Sequence, residues 1–475
     1  MLELSEIQAI VTSGFGHLPH AQFLFLAVAD RKAAQAWLAA ITPQIGTSAR
    51  RPQHSPKPHM VAQVALTARG LQAFGLTQDA MRTFPREFTI GMADPERAKV
   101  LGDSLESAPE QWEIGGSASP DVHLLLLIYA SSAEQMHAAT ATYLPDVAAA
   151  GLHELYRQAT YRASVAEPFG FRDGIAQPAI DGAPTPVLPG QSVIKPGEFI
   201  LGYENEYGQQ PPMPTVTKEQ DVAQVLVADP QARGRKSFGR NGTFLVVRKL
   251  AQDVAGFWAF VDQQARQPDG TVDATKRELF AAKLVGRWRS GAPLTLAPTH
   301  DDPELGKDAR RNDDFLYMPT DAEGFGCPVG SHTRRTNPRD TQQPNPARSL
   351  VITNRHRVLR RARPYQDSGP PRSTGDADGV AVGLVFMCIN ADIQRQFEFV
   401  QQTWINNPKF NGLYDNKDPL IGDNNATLAG TGSMTIQRRP VRQKVDGIPR
   451  FVTVKGGGYF FLPAISALQF LARLP

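Results

Sequence analysis

The sequence predicts an α+β protein built from two ferredoxin-like halves with long loops. Three observations predict this fold. A short apolar run followed by an amphipathic segment occurs four times, a further apolar run closes each half, and a Pro/Gly-rich segment separates the halves. The chain has 475 residues, with 40 Gly and 38 Pro, so it is long enough for two domains and must contain shaped loops. We place the two halves at residues 1–215 and 216–475.

The first half contains two strand–helix units and a closing strand. The run "AQFLFLAVAD" precedes "RKAAQAWLAAI", and "VHLLLLIYAS" precedes "SAEQMHAATATYL". The runs are short and apolar, as buried strands are, and each following segment has apolar residues at helical spacing. The candidate closing strand is "ATYRASVA". The connector 181–214 includes "DGAPTPVLPGQ" and "YGQQPPMP", which cannot be regular structure.

The second half repeats this order. The run "GTFLVVRKLA" leads into "DVAGFWAFVDQQA", in which Val254, Phe257, Trp258 and Val261 form one apolar stripe. The run "VGLVFMCINA" leads into "DIQRQFEFVQQTW", and "GGYFFLPAI" is the candidate closing strand. The repetition indicates a duplicated ferredoxin-like unit. The loop-rich region 291–348 is long for a compact domain, so we expect it to be functional or braced by a ligand.

The composition excludes several classes of protein. A hydrophobic fraction of 41%, a charged fraction of 20% and a net charge of +3 are ordinary for a globular chain and favour no charged partner. Two cysteines exclude a disulfide framework and fit a reducing compartment, and the absence of CxxCH excludes c-type haem attachment. The N-terminus carries acids, and "QFLFLAVA" is too short to span a bilayer. We therefore expect a soluble, cytoplasmic protein with no membrane partner.

One of the ten histidines has unusual surroundings. His332 lies in "GCPVGSHTRRTNPRD", and no second His, Cys or carboxylate stands at zinc-type spacing around it. A lone histidine among irregular backbone and arginines suits a single axial bond to haem iron, with cations for the haem carboxylates. From the spacing alone, a histidine with no more than a loop role is the default interpretation.

The segment that follows His332 is dense in arginine and has a single acid, Asp340. The arginines are Arg334, Arg335, Arg339, Arg348, Arg355, Arg357, Arg360, Arg361 and Arg363. An anion site, a nucleic-acid surface and a solvated charged face are all compatible with this pattern, although the lack of lysine and the scarcity of aromatic residues disfavour nucleic acid. Val358 and Leu359 indicate a short strand, so alternation sends Arg360 and Arg361 to opposite faces.

The stretch "EPFGFRDGIAQP", residues 167–178, is typical of neither a helix nor a strand. Its prolines and glycines predict a turn whose backbone can approach another group closely. Within it the Arg172-Asp173 pair stands between apolar residues, so the turn contains a carboxylate that the glycines allow to approach another group closely.

These stretches together resemble the dye-decolorizing peroxidases. The GxxDG motif of that family matches residues 170–174, its proximal-histidine segment is similar to "HTRRTNPR", and its distal-arginine segment is similar to "VLRRARPY". The resemblance continues through "PGEFILGYENEYG", "LVGRWRSGAPL" and "GGGYFFLPAISAL", and covers most of the chain in the expected order. It implies a duplicated ferredoxin-like fold of the dimeric α/β-barrel type, with haem b held mainly by the second half.

The resemblance also implies the activity and the partners. It implies a haem peroxidase that reduces hydrogen peroxide and oxidises dyes, phenols or other aromatic electron donors. The alternative is a haem-binding or haem-processing protein without physiological peroxidase activity. We expect no nucleic-acid partner, and the chain is expected to be a monomer or a homodimer.

Residue roles follow from the same resemblance. His332 corresponds to the proximal iron ligand, Asp173 to the distal acid–base group and Arg360 to the distal arginine, with Arg361 as its competitor. Asp173, Ile175, Arg339 and Arg360 are expected to contact the cofactor.

Two further residues and one loop are singled out. Tyr365 is a candidate electron relay or a packing residue, and Asp392 is a candidate partner of His332 or a helix N-cap. The chain departs from the family after the Pro-Tyr pair, where "QDSGPPRSTGDADG" is expected to alter access to the haem edge.

Overall fold

The computed structural model describes residues 1–50, 55–367, 381–424 and 432–475. These residues form the strands β1 (His20–Val28), β2 (Met60–Leu66), β3 (Leu124–Ala130), β4 (Leu152–Tyr161), β5 (Ala179–Ile180), β6 (Val193–Ile194), β7 (Thr215–Thr217), β8 (Arg235–Ser237), β9 (Thr243–Gln252), β10 (Leu359–Arg360), β11 (Arg363–Gln366), β12 (Val382–Asn390), β13 (Gly432–Ile436), β14 (Gln443–Ile448) and β15 (Val452–Leu462).

The same residues form the α-helices α1 (Arg31–Ile41), α2 (Ala68–Ala73), α3 (Gln78–Met81), α4 (Arg86–Ile90), α5 (Pro95–Leu101), α6 (Ala133–Tyr143), α7 (Val254–Gln264), α8 (Ala274–Val285), α9 (Pro303–Lys307), α10 (Tyr317–Asp321), α11 (His332–Thr336), α12 (Pro346–Asn354) and α13 (Ile465–Leu471). Two stretches after β12, Gln394–Glu398 and Val400–Ile405, are π-helical, where the sequence predicted an ordinary helix. No described helix is long and apolar enough to cross a bilayer.

In the described part of the chain, nine strands form one antiparallel sheet that runs through both halves. Its order is β10-β12-β9-β15-β2-β3-β1-β4, and β11 also pairs with β12. Strands β4-β1-β3-β2 of the first half and β10/β11-β12-β9-β15 of the second each have the central pair of strands expected of a ferredoxin-like unit. The halves meet where Phe461 of β15 pairs with Leu66 of β2. The duplicated α+β fold is thus confirmed, while the division at residue 215 stays a prediction.

Alternating side chains give the sheet two buried faces. Leu24 and Leu26 of β1 belong to one apolar cluster, together with residues of α1 and α6, whereas Phe23 and Phe25 belong to a second cluster on the other face. The helices that follow β1, β3 and β9 start at capping side chains, since Asp30, Ser132 and Asp253 each accept a hydrogen bond from a first-turn N–H. Three of the four strand–helix units therefore form where the sequence predicted them, and in the fourth the strand β12 is followed by π-helical turns.

Candidate active site

A cavity of about 300 Å³ lies between the sheet of the second half and the loops that cover it. Residues from both halves line it, and all five residues expected at the cofactor are among them: Asp173, Ile175, His332, Arg339 and Arg360. Positions 248, 250 and 252 of β9 also line the cavity, as the two-residue alternation of a strand requires. Groups that are far apart in the chain therefore share one enclosure.

The loop that carries Asp173 is held by a buried carboxylate. Glu167 accepts hydrogen bonds from the backbone N–H groups of Phe169 and Phe171, each at 3.0 Å, and from the amide of Gln252 at 2.8 Å. Burial raises the pKa of Glu167 to about 7, against the opposing effect of these hydrogen bonds. Gly170, at a φ of 96°, allows the turn to fold back on itself. The half-buried side chain of Asp173 lines the cavity.

Arg360 contacts the same loop from the sheet edge. Its backbone N–H donates to Oε1 of Gln177 at 3.0 Å, and its guanidinium Nη2 donates to the carbonyl of Ile175. Arg361, on the other side of the strand, donates to the carbonyls of Ile10 and Val11, and burial lowers its pKa to about 10. Arg360 lines the cavity and Arg361 does not, as strand alternation predicted.

His332 is the first residue of α11 and lines the cavity. Its Nδ1 lies 2.9 Å from Oδ2 of Asp418, a fully buried carboxylate. The other oxygen of Asp418 accepts the N–H groups of Leu420 and Ile421. Burial alone would raise the pKa of Asp418, but the adjacent imidazole and these hydrogen bonds lower it. Because Nδ1 is engaged, the second ring nitrogen, Nε2, is left without a partner among the described residues and is available to bind a metal ion.

These residues fit a haem. A porphyrin needs apolar walls, one axial nitrogen and cations near its carboxylates. The walls are supplied by Leu250, Leu384, Phe386, Leu420, Ile421 and Val452. His332 supplies the nitrogen, and arginines lie on several sides of the cavity. Among the described residues no group of three His, Cys, Asp or Glu side chains could hold a metal ion, so a metal bound by several side chains has no support there.

Comparison with known proteins decides the family. No family model matches the chain. A dye-decolorizing peroxidase of Mycena epipterygia is 31% identical over 99% of this chain and 87% of its own length, and one of Auricularia auricula-judae is 29% identical over 98% and 86%. The chain belongs to the dye-decolorizing peroxidase family.

Solved structures of the family agree with this assignment. A fungal dye-decolorizing peroxidase from Auricularia auricula-judae has a TM-score of 0.78 and 28% identity, and the match covers 99% of each chain. A dye-decolorizing peroxidase in complex with 2,6-dimethoxyphenol matches at the same TM-score and covers 99% of this chain and 100% of its own. The protein is therefore a haem peroxidase, an oxidoreductase that uses peroxide as its electron acceptor.

The arginine-rich segment of this peroxidase is mostly interior. Five of its arginines are buried: Arg334, Arg335, Arg339, Arg357 and Arg363. Each donates hydrogen bonds to main-chain carbonyls. The single guanidinium of Arg335, for example, donates to the carbonyls of Trp404, Asn407 and Asn416. The interpretation as a solvated charged face is therefore wrong for these residues. Irregular loops leave carbonyls without secondary-structure partners, and a guanidinium carries five donors that can satisfy them.

The arginine expected at the haem carboxylates has acceptors within the protein. Arg339 adopts a left-handed φ of 49°, and its guanidinium donates to the side chain of Asp313 and to the carbonyls of Asp313 and Phe315. Arg287 binds the same carboxylate at 3.0 Å. A contact between Arg339 and the cofactor stays a prediction.

The predicted partner of His332 needs correction. Asp392 caps the turn after β12, where its carboxylate accepts the N–H of Arg395 at 2.8 Å and pairs with the Arg395 guanidinium at 3.2 Å. The side chain of Asp392 therefore holds the turn before the segment Gln394–Glu398, whose N-cap residue is Ile393, and Asp418 takes the place beside His332. Sequence reasoning missed Asp418 because 86 positions separate it from the histidine, and no spacing rule joins them.

Tyr365 lies away from the cavity. It is buried in the cluster on the opposite face of the sheet, with the ammonium of Lys249 4.7 Å from its ring centroid. An electron-relay role for Tyr365 stays a prediction, and this position supports the packing alternative. The loop expected to alter access to the haem edge lies mostly at residues 368–380, outside the described residues.

Proposed function

We propose that Asp173 is the distal acid–base group of this peroxidase, Arg360 its distal arginine and His332 the ligand of the haem iron. The observation that carries the proposal is the shared cavity, in which the carboxylate of Asp173 and the imidazole of His332, held at Nδ1 by Asp418, meet from distant parts of the chain. A haem bound there supplies the iron that binds peroxide and accepts its oxidising equivalents.

Asp173 handles the protons. In its ionised form the carboxylate takes a proton from one oxygen of hydrogen peroxide and returns it to the other oxygen, so that the departing oxygen leaves as water and not as hydroxide. The side chain is accessible for this role because it lines the cavity and is only half-buried. The Glu167 hydrogen bonds that shape the loop fix the position of Asp173 relative to the cavity.

Arg360 and Asp418 act electrostatically. The Arg360 guanidinium is held beside the Asp173 loop by the carbonyl of Ile175, and it stabilises negative charge that develops on the peroxide oxygens. Asp418 accepts a hydrogen bond from Nδ1 of His332, which orients the ring and makes Nε2 a more basic ligand.

We further propose that the cofactor is haem b. The chain has two cysteines, both free and buried, and neither belongs to a CxxCH motif, which supports a haem held without thioether bonds. The free thiols also support the proposed cytoplasmic location. Release of the haem by acidified solvent, with a protoporphyrin IX absorption spectrum in pyridine, tests the haem type. A haem that stays covalently attached contradicts it.

The reducing substrates are proposed to be phenols, dyes and other aromatic one-electron donors. Support comes from the related structure in complex with 2,6-dimethoxyphenol. Peroxide-dependent oxidation of 2,6-dimethoxyphenol by the purified holoenzyme tests this proposal. Absence of turnover with this phenol and with dyes would favour a haem-processing role.

The test of the acid–base role is Asp173→Asn. We expect the bimolecular rate of the peroxide reaction, followed by stopped flow in the Soret region, to fall by about 10²- to 10⁴-fold, since proton transfer is lost and the side-chain volume is kept. Asp181→Asn, at an exposed aspartate outside the cavity, is the matched control. An unchanged rate in Asp173→Asn removes the mechanism. In His332→Ala, we expect loss of the Soret band of the ligated haem, and a retained band would overturn the assignment of the ligand.

A further inference from the structure

A second cationic group lines the cavity at a place that the proposed mechanism does not use. Arg248 of β9 is 4% exposed and pairs with the buried carboxylate of Asp103, which follows α5. Arg450 lies two residues before β15, and its guanidinium donates to Oγ of Ser107 and to the carbonyl of Asn424. Arg248, Asp103, Ser107 and Arg450 all line the cavity. We call these four residues the inner cluster.

The inner cluster has buried donors with no acceptor. Nε and Nη1 of Arg248 and Nη2 of Arg450 have no hydrogen-bond partner among the described residues, and neither does Oδ2 of Asp103. Buried polar groups of folded proteins are nearly always bonded, and a guanidinium is especially costly to leave unpaired. These orphaned donors point to a ligand that the cluster receives.

The other cavity arginines do not share this property. Arg339 and Arg287 both bind Asp313 and carbonyl oxygens, Arg357 donates to the carbonyl of Ala176, and Arg360 donates to that of Ile175. Among the described arginines that line the cavity, buried donors without an acceptor occur only in Arg248 and Arg450. The inner cluster is thus the part of the cavity wall whose arginines have hydrogen-bond donors left for an anion.

The local charge also favours an anion. Two guanidinium groups oppose one carboxylate, Asp103, and burial raises the pKa of that carboxyl while Arg248 opposes the rise. The other acids nearby are offset: Glu106 lies 4.0 Å from Arg450 and is mostly exposed, and Asp423 pairs with Lys417 at 2.7 Å. A small oxyanion that accepts from both arginines would leave this part of the wall close to neutral.

We propose that Arg248 and Arg450 form a binding site for a small planar carboxylate inside the cavity, separate from the groups that act on peroxide. Two oxygens on one carbon match the geometry of guanidinium donors, which bind carboxylates in pairs of parallel hydrogen bonds. The site rests on the inner cluster alone, so it stands or falls independently of the roles of Asp173 and His332.

Formate is the probe, used with the holoenzyme. We expect sodium formate to raise the thermal unfolding midpoint in a saturable manner, above the effect of sodium chloride at equal ionic strength. In Arg450→Gln, which keeps the Arg248–Asp103 pair, we expect the dissociation constant of formate to rise about tenfold, since one charge-assisted hydrogen bond is lost. In Arg248→Met combined with Asp103→Asn, which removes both buried charges together, binding should disappear. Arg69→Gln, at an exposed arginine, is the control.

The Soret band and a crystal structure of the holoenzyme with formate complete the test. Formate oxygens within hydrogen-bond distance of Arg248 and Arg450, with an unchanged Soret band, support the site. Three results overturn it. The first is a dissociation constant of formate that is unchanged in Arg450→Gln together with a Soret shift, which places the anion on the iron. The second is a haem carboxylate bound by Arg248, and the third is water alone at the cluster without a formate-specific effect.

Discussion

Replacement of Glu167 by Gln tests how a buried acid supports the loop of Asp173. The pKa of Glu167 is raised from an ordinary 4.5 to about 7, because burial penalises its charged form. The negative charge of Asp173 adds to the rise, and the hydrogen bonds from Gln252, Phe169 and Phe171 oppose it. The folded protein therefore holds a proton on Glu167 that the unfolded chain releases above a pH of about 4.5.

The difference between the folded and unfolded pKa values of Glu167 sets the sign and the size of the change in stability with pH. Glu167 contributes its full protonation-linked stability below its unfolded pKa, and this contribution is lost as the pH rises through about 7. Between about pH 5 and about pH 8 the loss amounts to about 2.5 kcal/mol of the free energy of unfolding. Glu167→Gln keeps the shape of the neutral acid and cannot ionise, so the loss is absent in the variant.

Urea unfolding of the wild type and the variant at these two pH values measures the difference. We expect the stability of Glu167→Gln relative to the wild type to increase by about 2.5 kcal/mol from about pH 5 to about pH 8. Glu304→Gln, at an exposed glutamate, controls for the loss of one negative charge. A relative stability that stays constant with pH, or that decreases, would refute the reasoning and show that Glu167 is ionised in the fold.

Three further predictions concern the iron ligand, its helix and the sheet. Asp418→Asn weakens the hydrogen-bond acceptor beside His332. We therefore expect a higher haem reduction potential, measured by spectroelectrochemistry, and a loss of about 10- to 100-fold in haem affinity or activity. A potential equal to that of the control Asp415→Asn, at an exposed aspartate, would contradict this prediction. Arg335→Met removes a buried guanidinium that donates to several loop carbonyls, so we expect the free energy of unfolding to fall by about 3 kcal/mol or more. A decrease below about 1 kcal/mol would show that these carbonyls find other hydrogen-bond partners. Leu126→Ala leaves a cavity in the fully buried centre of the first half and should cost about 2–5 kcal/mol in chemical unfolding; a smaller cost would mean that the core collapses around the site.

The repeated strand–helix pattern determined the fold, because apolar runs and helical stripes are local properties of a chain. The four predicted strands became β1, β3, β9 and β12, the central strands of the two units, and the closing run of the second half overlaps β15. The closing run of the first half, "ATYRASVA", was placed too late in the chain, because β4 is Leu152–Tyr161 and contains only the first three residues of that run. Strand β2 was not predicted, and the segment after β12 formed π-helical turns where an ordinary helix was expected. Periodicity identifies an apolar face, and it carries no information about the hydrogen-bond spacing along a helix.

The sequence by itself also supplied the candidate residues Asp173, His332 and Arg360, through unusual loops, a short strand and the resemblance to the family. Alternation along the strand predicted opposite faces for Arg360 and Arg361, but only the tertiary structure placed Asp173, His332 and Arg360 around one cavity and showed that Arg361 does not line it. The sequence did not predict the role of Asp418 or the inner cluster, because the partners of these residues come from distant segments of the chain. A hydrogen bond depends on distance in space, and sequence patterns report only neighbours along the chain.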